Sequence, residues 1–388
     1  MDHVLTLGYG MSRYSDPAAA IAEAAGAALR KAPHPAFALI LATDQYDHAA
    51  MAAAATGLLG DLPWIGCCCA GVFAGARLLK HGLVVGVVSS PHLAVGIGID
   101  GPVSRDGHRA GRRAVAQALA GLPPARAGHR AIVVLADGVA GNSAAVVRGA
   151  AEEAGSGIAW AGGGTGDNLR FAQYANGRAV QDHVVALVID GPQRFGAGIR
   201  HGWRPYGPPT MVTRVRGSTA VELDYEPAFD VYRRTARGRG EVVTPERFSQ
   251  FAMTHPLGIP QLDGEHVIRD PLSVDPDGGL RCVAEIPDGC VVRVMEGDRS
   301  ALIAAALDAA RTARRSVRGP VGGAFVFNCV SRSVLLGDDA EDELTALQAG
   351  LGDGVPMIGG LTYGEIGALH AGIPQFHNKT AVMLALPA

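Results

Sequence analysis

Short apolar runs alternate with stretches of helical periodicity in one order that recurs along the chain. In the first unit, apolar runs fall at 5–10, 36–42, 64–68 and 83–89, and helical stretches fall at 16–30 and 48–59. Runs of this length between longer amphipathic stretches predict a β-α-β-α-β-β order. Asp16 before Pro17 is typical of a helix N-terminus, because aspartate accepts from free N–H groups and proline needs no donor there.

The same order recurs twice. The second unit has predicted strands at 93–99, 131–136, 158–161 and 183–189, with helices at 109–120 and 144–154. The third has predicted strands at 291–295, 324–329, 357–358 and 381–386, with helices at 300–314 and 341–349. Self-similarity of this kind indicates a repeat architecture. The predicted fold class is therefore α/β, with mixed sheets built from repeated β-α-β-α-β-β units in three clear copies.

Each unit has a glycine-dense turn after its third strand, starting at Gly66, Gly162 and Gly359. Glycine lets main chain approach whatever lies beside the turn, so the recurrence indicates units built around a shared groove. The second interval between turns is about twice the first. A degenerate fourth unit at roughly 193–290 would explain this, and an irregular β-rich segment at about 201–290 is the alternative.

Composition narrows the classes of partner. The chain of 388 residues, 48% of them apolar, favours two or more domains. Lys and Arg (34) nearly balance Asp and Glu (37), so we expect neither nucleic acid nor a membrane surface as main partner. No apolar run approaches the roughly 20 residues that span a bilayer. The N-terminus lacks a signal-peptide layout, so a cytoplasmic location is expected.

Several short motifs, in one order over essentially the whole chain, resemble the FIST sensory proteins. They are Gly66-Cys-x-x-Ala-Gly71, Gly202-Trp203-x-Pro205, Glu222-Leu-Asp224 with Tyr232, His255-Pro256-Leu257-Gly258, Asn328-Cys329-x-x-Arg332, Gly364-Glu365-Ile366-Gly367 and His377-Asn378-x-Thr380. The resemblance implies a FIST N-terminal domain at 1–200, with units at about 1–92 and 93–192. It implies a FIST C-terminal domain at 201–388, with the third unit at about 291–388.

The resemblance also implies a function: an intracellular sensory module that binds an amino acid or a similar small polar metabolite. Since the two domains fill the 388 residues, output is expected to pass through a separate partner, a kinase or a cyclic-di-nucleotide enzyme. The alternative that the resemblance implies is a haem-based nitric-oxide sensor regulating such a partner. The first turn departs from the family pattern, because Cys68 and Cys69 replace hydroxyl residues and Val72-Phe73 replaces Glu-Ile.

The third unit supplies the candidate ligand-binding residues. Cys329 and Arg332 follow a buried strand, Tyr363 and Glu365 lie on the glycine turn, and Asn378 precedes the last strand. Open α/β sheets bind ligands at the carboxyl ends of their strands. An arginine that grips a carboxylate and a glutamate that receives an ammonium suit an amino acid. Alternatively, Arg332 and Glu365 pair with each other or face solvent, Asn378 caps a turn and Tyr363 is a packed aromatic.

Cys67, Cys68 and Cys69 are interpreted as reduced thiols that act as small buried hydrophobes. Adjacent residues of an extended segment face opposite ways, so at most Cys67 and Cys69 share a face, which disfavours a metal site. A reactive thiol needs a positive neighbour, for which His81 is the candidate in sequence. Nothing places a nucleophile, a base and an oxyanion donor together, so a Cys-dependent enzyme ranks last.

No resident cofactor is expected. The glycine-rich stretch 162–168 is followed by a predicted hairpin at 171–179 rather than the helix that a phosphate-binding loop requires. Haem stays as the alternative, with His183, His255 and His377 next to apolar or motif segments, although no spacing selects one of them as axial ligand.

Overall fold

Three similarly built units surround one central core, and a further domain is inserted into the third. The computed structural model describes residues 5–123, 128–168, 170–262, 264–368 and 372–388. This mixed α/β architecture of repeated units confirms the predicted fold class. Within these ranges, every helix is too short or too polar to cross a bilayer.

The bounds of the elements follow the predicted order closely. The first unit contains β1 (Thr6–Ser12), α1 (Pro17–Leu29), β2 (Pro35–Ala42), α2 (His48–Leu59), β3 (Trp64–Cys68), β4 (Val72–Ala74), β5 (Arg77–Leu79) and β6 (Leu83–Ser89). The second contains β7 (Ala94–Asp100), α3 (Val103–Ala120), β8 (His129–Asp137), α4 (Ser143–Ala154), β9 (Ala159–Thr165), β10 (Gln173–Ala175), β11 (Arg178–Val180) and β12 (Val184–Gly191).

The third unit begins with β13 (Gly196–Arg200) and is then interrupted by the inserted domain. The inserted domain contains β14 (Arg204–Pro205), β15 (Thr210–Arg216), β16 (Thr219–Leu223), β17 (Glu226–Pro227), α5 (Ala228–Arg237), α6 (Phe248–Ala252), β18 (Leu257–Pro260), β19 (His266–Arg269), β20 (Pro271–Val274), β21 (Leu280–Cys282) and β22 (Val291–Glu296). The third unit resumes with α7 (Arg299–Ser316), β23 (Val321–Cys329), α8 (Val330–Leu336), α9 (Ala340–Leu351), β24 (Met357–Thr362), β25 (Glu365–Gly367), β26 (Gln375–His377) and β27 (Ala381–Pro387).

The units exchange hairpins in a closed circle. Their own strands have equivalent orders, β1-β6-β2-β3, β7-β12-β8-β9 and β13-β27-β23-β24. The hairpin β10–β11 of the second unit extends the first sheet beside β3, β25–β26 of the third extends the second beside β9, and β4–β5 of the first extends the third beside β24. Each unit therefore completes the sheet of a neighbour, and none of the three sheets consists of strands from one unit alone.

Side-chain alternation along the strands builds the central core. In β2, Phe37, Leu39 and Leu41 face the central core, whereas Ala38 and Ile40 face the covering helices. The central strands β8 and β23 divide their side chains in the same way. Successive side chains of a strand point to opposite faces, so the continuous apolar runs of the sequence reflect burial on both sides.

The first strand of every unit carries two glycines separated by one residue, and both lie directly under a helix. A Cβ on Gly98 would lie 1.9 Å from the main-chain oxygen of Ala114 in α3. The equivalent contacts of Gly10 and Gly198 would be 2.2 Å and 2.0 Å. Glycine is required here because helix backbone lies on strand backbone.

Two expectations are wrong: the position of the first strand of the third unit, and the degenerate fourth unit at roughly 193–290. The first strand of the third unit is β13, which pairs antiparallel with β27 just as β1 pairs with β6. The predicted first strand near 291 is instead β22, which joins β15 and β18 in the sheet of the inserted domain. That domain forms a nine-stranded sheet, so it is not a degenerate fourth copy. The insertion explains the doubled interval between turns, and the predicted domain border at 200 separates β13 from the rest of its unit.

Candidate functional site

The three glycine turns lie against one another. Gly166 in the second turn donates to Cys68 O in the first (2.9 Å), and Gly164 donates to Gly364 O in the third (2.8 Å). The third turn is joined to the first by main-chain bonds of the same kind. A Cβ on Gly360 would lie 2.5 Å from the sulfur of a cysteine in the first turn. The glycines therefore serve close packing between units, and the groove expected between the turns is filled by the protein itself.

Arg332 lies in the interior of the protein and forms all its hydrogen bonds there. Its side chain is fully buried, and Nε and Nη2 donate to Glu343 Oε1 at 2.8 Å and 2.5 Å. The remaining N–H groups donate to the main-chain oxygens of His201 (2.6 Å), Lys379 (3.1 Å) and Leu302 (2.9 Å). A guanidinium has five N–H donors, and all are used. The prediction that Arg332 grips a ligand carboxylate is therefore wrong.

Glu365 is also enclosed. It lies in β25 and accepts from Thr362 Oγ1 (3.0 Å) and from the main-chain N–H of Thr380 (3.1 Å). Burial raises the pKa of Glu365 well above its usual range in spite of these bonds. The neighbouring Cys329 thiol also has a raised pKa, first through burial and then through the Glu365 charge. Because both carboxyl oxygens are bonded inside the fold, the expected cleft shared by Arg332 and Glu365 is absent among the residues described.

Asn378 lies at the junction with the inserted domain. It is 1% exposed, and its main-chain N–H donates to Ile268 O in the inserted domain at 3.2 Å. The next residue, Lys379, places Nζ 3.1 Å from Asp270 Oδ1 of that domain. The segment around Asn378 therefore connects the two parts of the C-terminal half, and a ligand contact at Asn378 stays a prediction.

Tyr363 alone of the five predicted residues is partly exposed. Its ring meets Phe171 edge-on, with 6.2 Å between centroids. Two glycines allow this placement. A Cβ on Gly166, where φ is +143°, would lie 2.0 Å from the Phe171 ring, and one on Gly138 would lie 2.9 Å from Tyr363 Cβ. Burial, and next the charge of Asp167, raise the pKa of the Tyr363 phenol.

Two carboxyl groups lie beside this aromatic pair. Asp44 follows β2 and Asp167 follows β9, so each lies just beyond the carboxyl end of a strand. Burial raises the pKa of Asp167 to about 6, and the charge of Asp44 and a hydrogen bond with it act in the same direction. Asn168 Nδ2 donates to Asp44 Oδ2 at 2.8 Å, and Arg170 Nη1 donates to Asp44 O at 2.9 Å. Adjacent carboxylates repel, so one retains a proton more readily than an isolated aspartate does.

We call Asp44, Asp167, Phe171 and Tyr363 the Asp44–Asp167 site. A cation between its carboxyl groups would relieve their repulsion, and aromatic rings attract cations through their faces. Sequence reasoning selected Tyr363 but not the two aspartates. The available signal was their position two residues after β2 and β9, where open α/β sheets bind ligands.

The adjacent cysteines have the environment of buried hydrophobes. Cys67, Cys68 and Cys69 are all fully buried. The sulfurs of Cys67 and Cys69 are 3.6 Å apart, which shows that these two share a face. Burial raises the pKa of Cys68, and a hydrogen bond with Cys67 together with burial raises that of Cys69. High thiol pKa values disfavour the thiolate that nucleophilic chemistry needs.

We expect at most one thiol of the native protein to react with a thiol reagent at pH 8. Cys290 is partly exposed, whereas the other five cysteines are buried. Burial raises the pKa of Cys290 to about 11, so its reaction should be slow. Spectrophotometric titration in buffer and in guanidinium checks this, with Cys290→Ser as the control that removes the native signal. Rapid native labelling of Cys68 would contradict it.

One of the three candidate haem ligands does not fit that role. An axial histidine needs a ring nitrogen open to a porphyrin-sized pocket. His377 is 1% exposed with Nε2 3.3 Å from Gly367 O, and burial lowers its pKa to about 3. Haem ligation by His183 or His255 stays a prediction.

Two family profiles match most of the chain. The profile of the FIST N domain matches residues 36–226, and that of the FIST C domain matches residues 228–368. The chain therefore belongs to the FIST family, which confirms the resemblance seen in its motifs. FIST domains are sensory signal-transduction domains.

The following similar proteins assign no activity to this chain. Two uncharacterized proteins of Mycobacterium tuberculosis, MT0656 of strain CDC 1551 and Rv0628c of strain H37Rv, are each 27% identical over 190 residues, 48% of this chain. The match spans about half the length of each relative (49%). A cyanuric acid hydrolase structure aligns over 100% of both chains with 10% identity and a TM-score of 0.38. Another, from A. caulinodans, aligns over 49% of this chain and 72% of its own, with 11% identity and a TM-score of 0.26. Likenesses this weak carry no argument.

Proposed function

We propose that this sensory protein binds a small molecule with an ammonium group, an amino acid or a related amine, at the Asp44–Asp167 site. The observation that supports this most is the adjacent carboxyl pair, in which the pKa of Asp167 is raised to about 6. The pair lies at the partly exposed ends of strands from two units. An ammonium group there would take the place of the proton that the two carboxylates hold.

Arg170 supplies a partner for the carboxylate of an amino acid. Its Nη1 donates to the main-chain oxygens of Asp44 (2.9 Å) and Tyr46 (3.2 Å), which orients the guanidinium beside the carboxyl pair. Its Nε and Nη2 form no hydrogen bond with a described residue, and the side chain is exposed. An arginine fork of this kind suits a carboxylate. The proposed ligand is still a zwitterion, but it contacts Arg170 and the carboxyl pair instead of Arg332 and Glu365.

The signal would pass from Tyr363 toward the inserted domain. Tyr363 lies two residues before Glu365, whose Oε2 accepts from the main chain of Thr380. Thr380 follows Lys379, which pairs with Asp270 of the inserted domain. A ligand that shifts Tyr363 would act on this buried chain of contacts. We propose that the inserted domain presents the change to a separate protein, such as a kinase or a cyclic-di-nucleotide enzyme.

We propose binding rather than catalysis, and a cytoplasmic location. The raised pKa values of Cys68 and Cys329 disfavour a thiolate nucleophile at neutral pH. All six cysteines are free, and free thiols fit a reducing compartment. No step of the proposal depends on haem.

Ligand affinity should depend on pH. The ammonium group needs Asp167 deprotonated, and at a pKa of about 6 the deprotonated fraction rises from about 0.1 at pH 5 to about 0.9 at pH 7. We therefore expect the affinity for the amine to rise about tenfold between these pH values. Isothermal titration calorimetry of ligands found by thermal-shift screening against amino acids and amines measures this directly.

Asp167→Asn should weaken binding at least tenfold at pH 7 and flatten the pH profile, because the amide has no charge to lose. Asp61→Asn, which neutralises an exposed acid in the first unit, is the matched control and should bind as the unaltered protein does. The proposal fails if no amino acid or amine binds, or if Asp167→Asn retains both affinity and pH profile.

A further inference from the structure

A cleft in the first unit is lined by basic side chains. Arg13 and Tyr14 follow β1, Arg77 lies in β5, and Lys80 and His81 connect β5 to β6. We call these five residues the first-unit cleft. Two cavities of about 380 Å³ and 520 Å³ both have Arg13 in their walls. Volumes of this order hold small-molecule ligands.

The cations of the first-unit cleft form no ion pair with any described residue. Arg13, Arg77 and Lys80 are exposed, and in the described part of the chain no carboxylate forms an ion pair with any of them. Among the described lining residues, Glu23 is the one acid. The cleft therefore has a local excess of positive charge in a molecule whose formal net charge is −3. Such local excess attracts anions.

The walls of the cleft are held in place by internal contacts. Gly82, at φ +147°, donates to Thr43 Oγ1 at 3.0 Å and accepts from the main-chain N–H of Thr43 at 3.0 Å. A Cβ on Gly82 would lie 2.5 Å from Ser12 O, so the loop carrying Lys80 is pressed against the end of β1. Tyr46 Oη donates to Tyr14 O at 2.9 Å. A preformed cleft loses less entropy when a ligand binds.

In the second and third units, the residues equivalent to the first-unit cleft have partners within the protein. Leu83, Val184 and Ala381 occupy the same register position in the closing strands, opposite Ala42, Ala136 and Asn328. His81 of the first unit is therefore equivalent to Asp182 and Lys379, each two residues earlier. In the second unit, Asp182 Oδ1 accepts from the main-chain N–H of Ser104 after the first strand. In the third, Lys379 pairs with Asp270 from the inserted domain. In both of these units the residue finds its partner within the protein, whereas His81 of the first unit is exposed and forms no ion pair with a carboxylate of the described residues.

We propose that the first-unit cleft binds a small ligand through a diphosphate group. The third unit places a carboxylate against Lys379, whereas the exposed cations of the first-unit cleft are open to an anion from solution. Arg13 lines both cavities, Arg77 lines one and Lys80 lines the other. Cations spread over two adjoining cavities suit an anion with two linked groups and oxygens on several sides, as a diphosphate has, better than a planar carboxylate. This site goes beyond the proposed function, since it shares no residue with the Asp44–Asp167 site.

Calorimetric titration of the whole protein with inorganic pyrophosphate tests the proposal, with citrate as the carboxylate anion of comparable charge. We expect pyrophosphate to bind with 1:1 stoichiometry and at least tenfold more tightly than citrate. The double variant Arg13→Gln/Arg77→Gln should lose at least tenfold in affinity. Arg237→Gln, which removes one exposed charge from the inserted domain, is the control and should leave affinity unchanged.

Three outcomes would overturn the proposal: no binding of pyrophosphate at about 10 mM, where even millimolar affinity is detectable, unchanged affinity in the double variant, or citrate binding as tight as pyrophosphate. Thermal unfolding of each variant checks the fold, and we expect no change because both arginines are exposed. Asp167→Asn removes a negative charge that interacts with His81 of the cleft, so pyrophosphate affinity should not fall in this variant, whereas amine affinity should. Failure of the amine site and failure of this site therefore give different results.

Discussion

Arg332→Met is expected to lower the free energy of unfolding by about 3–5 kcal/mol, because removing one partner of a buried ion pair leaves the other charge uncompensated. Glu343 is 1% exposed and would keep Asn328 Nδ2 (2.6 Å) as its remaining side-chain donor. The main-chain oxygens of His201 and Leu302 would each also lose one donor. Guanidinium denaturation followed by circular dichroism measures the difference.

The matched control is Arg234→Met. Arg234 forms a two-bond pair with Glu226 at 2.8 Å, but both side chains are largely exposed. Exposed ion pairs contribute little to stability because solvent screens them, so the control should unfold nearly as the unaltered protein does. Adding Glu343→Leu to Arg332→Met should recover part of the loss, since the unpaired charge is then gone. A loss below about 1 kcal/mol for Arg332→Met would contradict the buried-pair argument.

Gly98→Ala is expected to lower the free energy of unfolding by about 3 kcal/mol, the upper part of the usual range for overpacking. The added methyl would lie 1.9 Å from Ala114 O and 2.9 Å from Ala118 N. Both are main-chain atoms of α3, so no side chain can rotate away, and the helix itself must move off β7. Denaturant unfolding measures the loss, and a changed midpoint with an unchanged slope shows that stability alone has altered.

Gly57→Ala is the control for this substitution. Gly57 lies in α2, and a Cβ there would have nothing within 4 Å. Alanine favours helix over glycine by up to about 1 kcal/mol, so this variant should gain stability. Equal effects of the two substitutions would show that the contact between strand and helix backbone is not what requires glycine at Gly98.

The exchanged hairpins and the inserted domain both cross the border between the two family domains. The profiles meet between residues 226 and 228, at the start of α5 inside the inserted domain. The β4–β5 hairpin of the N-terminal half pairs with β24 of the C-terminal half, and β25 of the C-terminal half pairs with β9. The two FIST domains are therefore one interlocked structure. If the proposed ligand binds near β9, this interlocking would connect its site directly to the third unit.

Much of the local structure was predictable from the sequence. The helix after Asp16 begins at Pro17, and the aspartate accepts from the main chain of Ala19 as its position before proline indicates. The hairpin predicted at 171–179 forms as β10 and β11. The repeated order of strands and helices was also predictable from the sequence. A Gly-x-Gly pair in the first strand of each unit, including Gly196 and Gly198, was a signal that would have corrected the start of the third unit.

The sequence by itself determined the order of strands and helices in the first two units, the start of the helix at Pro17 and the family, because these depend on local periodicity, capping and short motifs. Only the tertiary structure decided that Arg332 pairs with Glu343 inside the protein and that Asp44 meets Asp167 at its surface. The reason is physical: a charged residue after a strand looks the same in sequence whether it is buried against a partner or exposed. Its neighbours are set by how distant segments pack.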